Sequence, residues 1–164
     1  MAGAASSVDM VGEWLGRTLG PDDVEPATWA MAEGGRGVTG PDVLRMQAAQ
    51  MKFRRDVAEW WNGGFDLLLT ATSMRTAPLI GELVATDGDP IRGLMGSIPY
   101  AANTAPFNTT GQPAISLPLA ESDAGLPIGI QLVADYGRED LLFEVAGQLE
   151  VEVPWVDRRA PLHP

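Results

Sequence analysis

The sequence predicts an α/β protein in which helices pack on a few strands. Three short apolar runs bounded by turn-forming residues, at 65–71, 114–119 and 128–134, are typical of β-strands. Amphipathic helical patterns precede the first run and follow the last one. With 164 residues, 45% hydrophobic and 20% charged, the composition is that of a globular protein. We expect one domain region: helices over 1–63, strands, a cleft loop and a final helix over 64–153, and a Pro-rich tail over 154–164.

Two helices are predicted at the start of the chain. Apolar residues recur at spacings of three to four from Val8 to Leu19, Ser6 and Asp9 resemble a capping box, and Gly20-Pro21 provides a stop. A second, shorter helix is predicted between Pro26 and Glu33, ended by Gly34-Gly35.

The longest helical pattern opens at Thr39-Gly40-Pro41-Asp42 and ends before Asn62-Gly63-Gly64. It has two adjacent apolar rows and one charged face. The first row contains Met46, Phe53, Val57 and Trp60, and the second contains Leu44, Ala48, Met51, Ala58 and Trp61. The charged face, which we expect to be solvated, contains Arg45, Lys52, Asp56 and Glu59.

The remaining elements follow from periodicity and turn signals. The continuous apolar run Phe65–Ala71 predicts a central strand covered on both faces. Residues 73–113 predict an irregular stretch with a short helix at Ile91–Gly96. Two strands, 114–119 and 128–134, are predicted to form an antiparallel hairpin. In the second of these strands, apolar residues alternate with Gly129, Gln131 and Val133. The final helix is predicted over 139–150, and its inward residues are Leu142, Val145, Ala146 and Leu149.

Charge and cysteine content exclude several functional classes. The net charge is −11, from 22 acidic and 11 basic residues, so phosphate backbones and anionic bilayers would repel the chain. We therefore expect neither a nucleic-acid nor a membrane partner. With no cysteine, disulfides and thiolate nucleophiles are excluded. The start of the sequence does not resemble a signal peptide, which favours a cytoplasmic location.

No side chain stands out as a catalytic group. His163, the one histidine, lies one residue from the C-terminus, and Lys52, the one lysine, lies on the charged helix face. No His or Cys cluster could hold a metal. None of the serines has the surroundings of a nucleophile. The polar segment Asn103–Ser116 runs into a strand; its side chains either satisfy backbone groups in a tight turn or line a cleft.

Three blocks then carry a resemblance to a known family. They are Phe65–Thr70 (FDLLLT), Ala105–Pro118 (APFNTTGQPAISLP) and Gly125–Val133 (GLPIGIQLV), and Glu139–Leu142 and Pro154-Trp155 extend them. In order and approximate spacing they resemble the C-terminal third of amidase signature enzymes. The resemblance implies an α/β fold with a large mixed sheet and hydrolysis of a carboxamide by a serine, a bridging serine in a cis peptide bond, and a lysine. It implies no metal and no organic cofactor.

The family's Gly/Ser-rich nucleophile loop and upstream lysine have no counterpart in this sequence, so we assign no catalytic residue. The resemblance implies instead that the segment supplies scaffold and pocket wall. Residues expected to line the acyl side of the cleft are Thr70, Asn103, Phe107, Asn108 and Thr109. Family members that hold an ammonium group have an acidic residue shortly before the Asn-x-x-Gly element. Tyr100, Ala101 and Ala102 stand there in this chain, which favours an uncharged or apolar substrate.

Three functional hypotheses remain open. The first is the C-terminal portion of an amidase, inactive alone and completed by an N-terminal half, with an amide substrate only in the complete enzyme. The second is a non-catalytic assembly or binding module that forms a homo-oligomer, because its sheet would have an open edge and an exposed apolar face. The third is an unrelated fold whose match to the family is due to chance.

Overall fold

A computed structural model describes residues 1–86 and 88–159, so His163 lies outside the described residues. The described helices are α1 (Ala2–Trp14), α2 (Pro26–Arg36), α3 (Gly40–Trp61), α4 (Arg92–Ala101), α5 (Ala105–Thr110) and α6 (Glu139–Glu152), with a short 3₁₀ turn at Pro21–Asp23. The strands are β1 (Leu67–Ala71), β2 (Ala114–Glu121) and β3 (Pro127–Ala134). The α/β class is therefore confirmed. No described helix is long and apolar enough to cross a bilayer.

The chain divides into two compact units. The first contains residues 1–49 and 78–98, and the second contains residues 50–77 and the described chain from residue 99 onward. In the first unit, α1 and α2 pack together around a small apolar core. Its buried residues are Ala5, Val8, Leu19 and Ala32, with Trp29 packed against them.

Helix α1 differs from its prediction at both ends. It begins at Ala2, so Ser6 and Asp9 lie inside the helix and do not cap it. Alanine is the residue with the highest helix propensity, and the Ala-rich start becomes helical without an apolar stripe of its own. The helix ends at Trp14 rather than Leu19, because Gly16 adopts a left-handed conformation (φ +67°) that reverses the chain.

Helix α2 starts at Pro26 as predicted but continues through Gly34-Gly35 to Arg36. The prediction that the two glycines end this helix was wrong. At Gly35 a β-carbon would lie 2.2 Å from the Met1 carbonyl oxygen. The glycine is therefore needed for a close approach of two backbones and not for a turn.

Helix α3 has the predicted start, since Thr39 Oγ1 accepts from the Asp42 amide (3.3 Å) and Asp42 Oδ2 accepts from the Thr39 amide (2.9 Å). Lys52 is solvated as expected, and its Nζ donates to Asp56 Oδ2 at 2.6 Å.

The two apolar rows of α3 are only partly covered. In the part of the chain that the structure describes, only the last turn of α3 is substantially covered. Trp61 is buried, and Trp60 stacks on Phe65 with ring centroids 4.3 Å apart. The side chains that remain exposed are Leu44, Met46, Met51 and Phe53. Exposed apolar surfaces of this kind are typical of interaction sites.

The second unit contains a three-stranded sheet in the order β1-β3-β2, and both strand pairs are antiparallel. The β2–β3 hairpin is confirmed, and Gly125 (φ +74°) lies in its turn. The central position predicted for β1 was wrong, because β3 is central and β1 forms an edge of the described sheet. A continuous apolar run indicates that both faces of a strand are covered, but it does not indicate whether the strand has neighbours on both sides. Leu69 on β1 is 65% exposed.

Helix α6 covers one face of this sheet and makes the larger core. Leu142 and Ala146 of α6 are buried against Leu117, Leu132 and Ala134 of the hairpin. Val145, Leu149 and Trp155 pack around them, so the predicted inward face of α6 is confirmed. Asp140 lies in the first turn of α6, where the helix dipole stabilises a negatively charged carboxylate. The Arg138 side chain hydrogen-bonds to Asp140 (3.1 Å) and lowers the pKa of its carboxyl.

The stretch predicted as irregular, 73–113, contains two helices. Helix α4 is longer than predicted and contains Pro99, whose carbonyl accepts from the Met74 amide at 3.0 Å. Helix α5 spans six residues of the expected cleft loop and ends at Gly111 (φ +87°). Asn and Thr have low helix propensity, which is why the sequence pattern did not indicate α5.

Candidate functional site

The sheet face opposite α6 carries a row of polar side chains, which we call the polar face. It contains Thr70, Thr72, Ser116 and Gln131. These residues share one face because successive side chains in a strand alternate, and because Gln131 pairs in register with both Thr70 and Ser116. Thr72 extends the pairing one step beyond β1, since its amide donates to the Gly129 carbonyl at 2.8 Å.

Gln131 fixes the polar face to the connection between α4 and α5. Its side chain is almost completely buried, at 3% exposure. Its Nε2 donates to Thr70 Oγ1 (3.1 Å) and to the Asn103 carbonyl (3.0 Å). Asn103 Nδ2 in turn donates to the Ala71 carbonyl at 2.8 Å. Two hydrogen bonds therefore hold Asn103, which precedes α5, against the sheet.

A pair of hydroxyls lies beside this network. Thr72 Oγ1 and Ser116 Oγ are 2.6 Å apart, so one donates to the other. Gly129 lies between them on β3, and a β-carbon there would be 2.8 Å from both oxygens. Glycine is therefore required for the two hydroxyls to meet. The proton of the accepting hydroxyl is left free to donate to a third group.

Two cavities adjoin this hydroxyl pair, and Thr72 and Ser116 line both. The smaller has a volume of about 270 Å³ and is mixed in character. Its other lining residues are Thr104, Phe107, Asn108, Gln112, Ala114, Ile115 and Gln131. The larger, of about 490 Å³, is bounded by the segment that follows β1, by Tyr100 of α4 and by the start of β3 from Pro127 to Gly129.

The five residues predicted to line the cleft do not all lie in one place. Phe107 and Asn108 line the smaller cavity. Thr70 and Asn103 are linked through Gln131 and form the frame beside it. The Thr109 hydroxyl donates to the Ala105 carbonyl at 3.2 Å, inside α5, and Thr109 lines neither cavity.

Four residues of this site were not predicted: Thr72, Ser116, Gly129 and Gln131. The sequence contains a signal for them, because polar or small residues stand at alternate positions of the strands. The pattern identifies a shared polar face only when the strand register is known, because the register places Ser116 opposite Gln131 in the hairpin.

Gln112 adds an unsatisfied polar group to the wall of the smaller cavity. Its side chain is 5% exposed, and among the described residues neither its amide nitrogen nor its amide oxygen has a hydrogen-bond partner. Buried amides without partners are rare, because losing their hydration costs free energy. The Gln112 amide therefore leaves one unpaired donor and one unpaired acceptor in the described wall of this cavity.

The lining residues of the two cavities determine what chemistry they can perform. Neither lining set contains a lysine, a histidine or a carboxylate. Ser116 therefore has a hydroxyl neighbour but no base among these residues, whereas a serine nucleophile needs an adjacent group to take its proton. Among the described residues, no cluster of His, Asp or Glu is placed to hold a metal ion. The two linings offer hydroxyl and amide groups for hydrogen bonding to a bound molecule.

Comparisons with known proteins show which family this chain resembles. The sequence profile of the family described as Amidase matches residues 3–143. The 6-aminohexanoate-cyclic-dimer hydrolase of Paenarthrobacter ureafaciens is 44% identical over 163 residues, which cover 96% of this chain and 33% of the relative. The putative amidase AmiC of Mycobacterium tuberculosis is 38% identical over 149 residues, covering 90% of this chain and 30% of the relative. The chain thus spans about a third of the length of the curated relatives it matches.

Solved structures also match this chain over about a third of their own length. A structure of 6-aminohexanoate cyclic dimer hydrolase superposes with a TM-score of 0.89 at 44% identity, covering 96% of this chain and 34% of that one. An amidase crystal structure at 22% identity has a TM-score of 0.69, which supports the fold alone. The match of the family profile over most of the chain decides the assignment: this chain belongs to the Amidase family.

Proposed function

We propose that this chain is the C-terminal portion of an amidase that hydrolyses a carboxamide to a carboxylate and ammonia or an amine. In this proposal an N-terminal half supplies the serine, the cis-bonded serine and the lysine. The chain itself supplies a cavity wall built on the polar face of the sheet. The observation that carries the proposal is the combination of a matching family profile with coverage of only a third of the relatives' length.

The exposed surfaces of the chain support the need for a partner. The apolar rows of α3 are largely uncovered, and β1 has no strand on its outer side among the described residues. Open edges and apolar patches are where further strands and helices pack. An N-terminal half would cover both surfaces and complete the larger mixed sheet of the family.

The substrate class follows from the cavity lining and from the relatives. No carboxylate lines either cavity, so a substrate ammonium would have no counter-charge there. We infer an uncharged amide substrate. The name of the relative at 44% identity specifies a cyclic dimer of 6-aminohexanoate, which makes an aliphatic amide the first compound to test. The proposed site of action is the cytoplasm.

The proposal predicts activity only after reconstitution. The purified chain should not hydrolyse 6-aminohexanoate cyclic dimer or hexanamide above the buffer rate, because it lacks a nucleophile and a base. Addition of the N-terminal two thirds of the P. ureafaciens hydrolase should produce turnover, measured as release of amine or ammonia. The matched control is that N-terminal part alone. Hydrolysis by the isolated chain would refute the proposal.

The alternative is a non-catalytic assembly module that forms a homo-oligomer through the same exposed surfaces. Sedimentation of the samples used for reconstitution separates the two functions. A stable homo-oligomer that neither binds the N-terminal part nor gains activity would favour the alternative. A one-to-one complex with turnover would favour the amidase.

A further inference from the structure

We infer that the larger cavity is a binding site for an organic carboxylate, with Arg75 as its charged ligand. The cavity, of about 490 Å³, lies entirely within the second unit. Its polar lining groups include four side-chain hydroxyls and the phenol of Tyr100. The hydroxyls are those of Thr72, Ser73, Thr76 and Ser116. Hydroxyls and a guanidinium are donors that match carboxylate oxygens.

The charge of the cavity is opposite to that of the chain. The protein carries 22 acidic and 11 basic residues, yet the single charged residue lining this cavity is an arginine. The Arg75 guanidinium forms no ion pair and no side-chain hydrogen bond with another described residue, whereas Arg17, Arg36, Arg45, Arg138 and Arg158 all pair with carboxylates. Arg75 is therefore available to an external anion.

The hydroxyl pair contributes a second, neutral donor to the site. One of Thr72 and Ser116 donates to the other, and the remaining proton is free. Gly129 keeps the space in front of both oxygens open, since any side chain there would collide with them. A carboxylate in this cavity can accept from the guanidinium and from the free hydroxyl.

A carboxylate is also what amide hydrolysis releases from a neutral substrate. The identity of the bound anion as the reaction product thus rests on the proposed function, whereas the binding itself depends only on this chain. The net charge of −11 repels anions at long range, so any affinity for a carboxylate must come from local groups. Loss of Arg75 should therefore remove most of that affinity.

Titration of the purified chain with sodium hexanoate, hexanamide and hexylammonium chloride tests the inference. Hexanoate should bind, and Arg75→Gln should raise its Kd by about tenfold, as expected for loss of a charge-assisted contact of about 1.4 kcal/mol. Arg75→Lys should raise the Kd less. Ser116→Ala should raise it by a few fold. Hexanamide should bind more weakly and be insensitive to Arg75→Gln, and hexylammonium should not bind.

Arg55→Gln is the matched control, because Arg55 is also exposed, forms no ion pair with the described residues and lines neither cavity. Unchanged circular dichroism would show that each variant is folded. Equal binding of hexanoate by the Arg75→Gln and Arg55→Gln variants would overturn the inference. So would the absence of hexanoate binding, even if the reconstituted enzyme hydrolysed amides, and in that case the proposed function would stand alone.

Discussion

Replacing Leu132 by alanine is expected to lower the free energy of unfolding of the sheet unit by about 2–5 kcal/mol. Leu132 lies on the central strand β3, is 3% exposed, and packs with Leu142 and Ala146 of α6. Truncating this side chain leaves a cavity between β3 and α6. The strands and the helix cannot move together to fill it, because their backbones are held by hydrogen bonds. Urea denaturation followed by circular dichroism measures the change.

Leu69→Ala is the control for this experiment. Leu69 is the register partner of Leu132 on β1, so the two leucines share one rung of the same strand pair. Because Leu69 is largely exposed, its replacement should cost less than about 1 kcal/mol. Equal losses at the two positions would contradict the described exposure of Leu69.

The second large effect is expected at Gln131. Substitution by leucine keeps the volume but removes the donor to Thr70 Oγ1 and to the Asn103 carbonyl, which leaves two acceptors without a partner. An unsatisfied buried group costs about 1–3 kcal/mol. We therefore expect a stability loss in this range, with faster hydrogen exchange at the start of α5, because Asn103 keeps only its own hydrogen bond to the Ala71 carbonyl.

Gln148→Leu provides the comparison for Gln131→Leu. Gln148 lies on the exposed side of α6, where the same chemical change removes no described hydrogen bond, and it should alter stability by less than about 0.5 kcal/mol. Combining Gln131→Leu with Thr70→Val should cost less than the sum of the two single changes, since the pair shares a hydrogen bond. Strict additivity would show that the bond contributes nothing.

Sequence periodicity predicted the elements whose residues contact one another within this chain. The hairpin and α6 were predicted because Leu142, Ala146 and Leu132 form one core, and their spacing reflects it. The pattern of α3 is equally periodic, yet Leu44, Met46, Met51 and Phe53 of its apolar rows are exposed in the described structure. Periodicity records that a surface is apolar and not whether its partner belongs to the same chain.

The site was predicted less completely than the fold. Phe107 and Asn108 were identified through the family resemblance, and they line the smaller cavity. The hydroxyl pair was not identified, because Thr72 and Ser116 are 44 residues apart and only strand pairing brings them together. Arg75 was not identified either, since its significance depends on the absence of carboxylates around the cavity.

We propose that this chain binds a carboxylate but does not cleave an amide by itself. The two cavities, the hydroxyl pair and Arg75 all lie within the second unit. The described lining contains no lysine, histidine or carboxylate that could take a proton from a serine. In an amidase the nucleophile must be activated and held beside donors for the developing oxyanion. This chain alone is expected to supply neither.

Labelling with a fluorophosphonate probe tests this claim most directly, because such reagents modify activated serines and leave ordinary hydroxyls unchanged. Mass spectrometry of the treated chain should show no adduct at any serine, including Ser116. The complex reconstituted with the N-terminal part of the relative should be labelled on that added polypeptide. An adduct on Ser116 of the isolated chain would show an activated nucleophile and contradict the account.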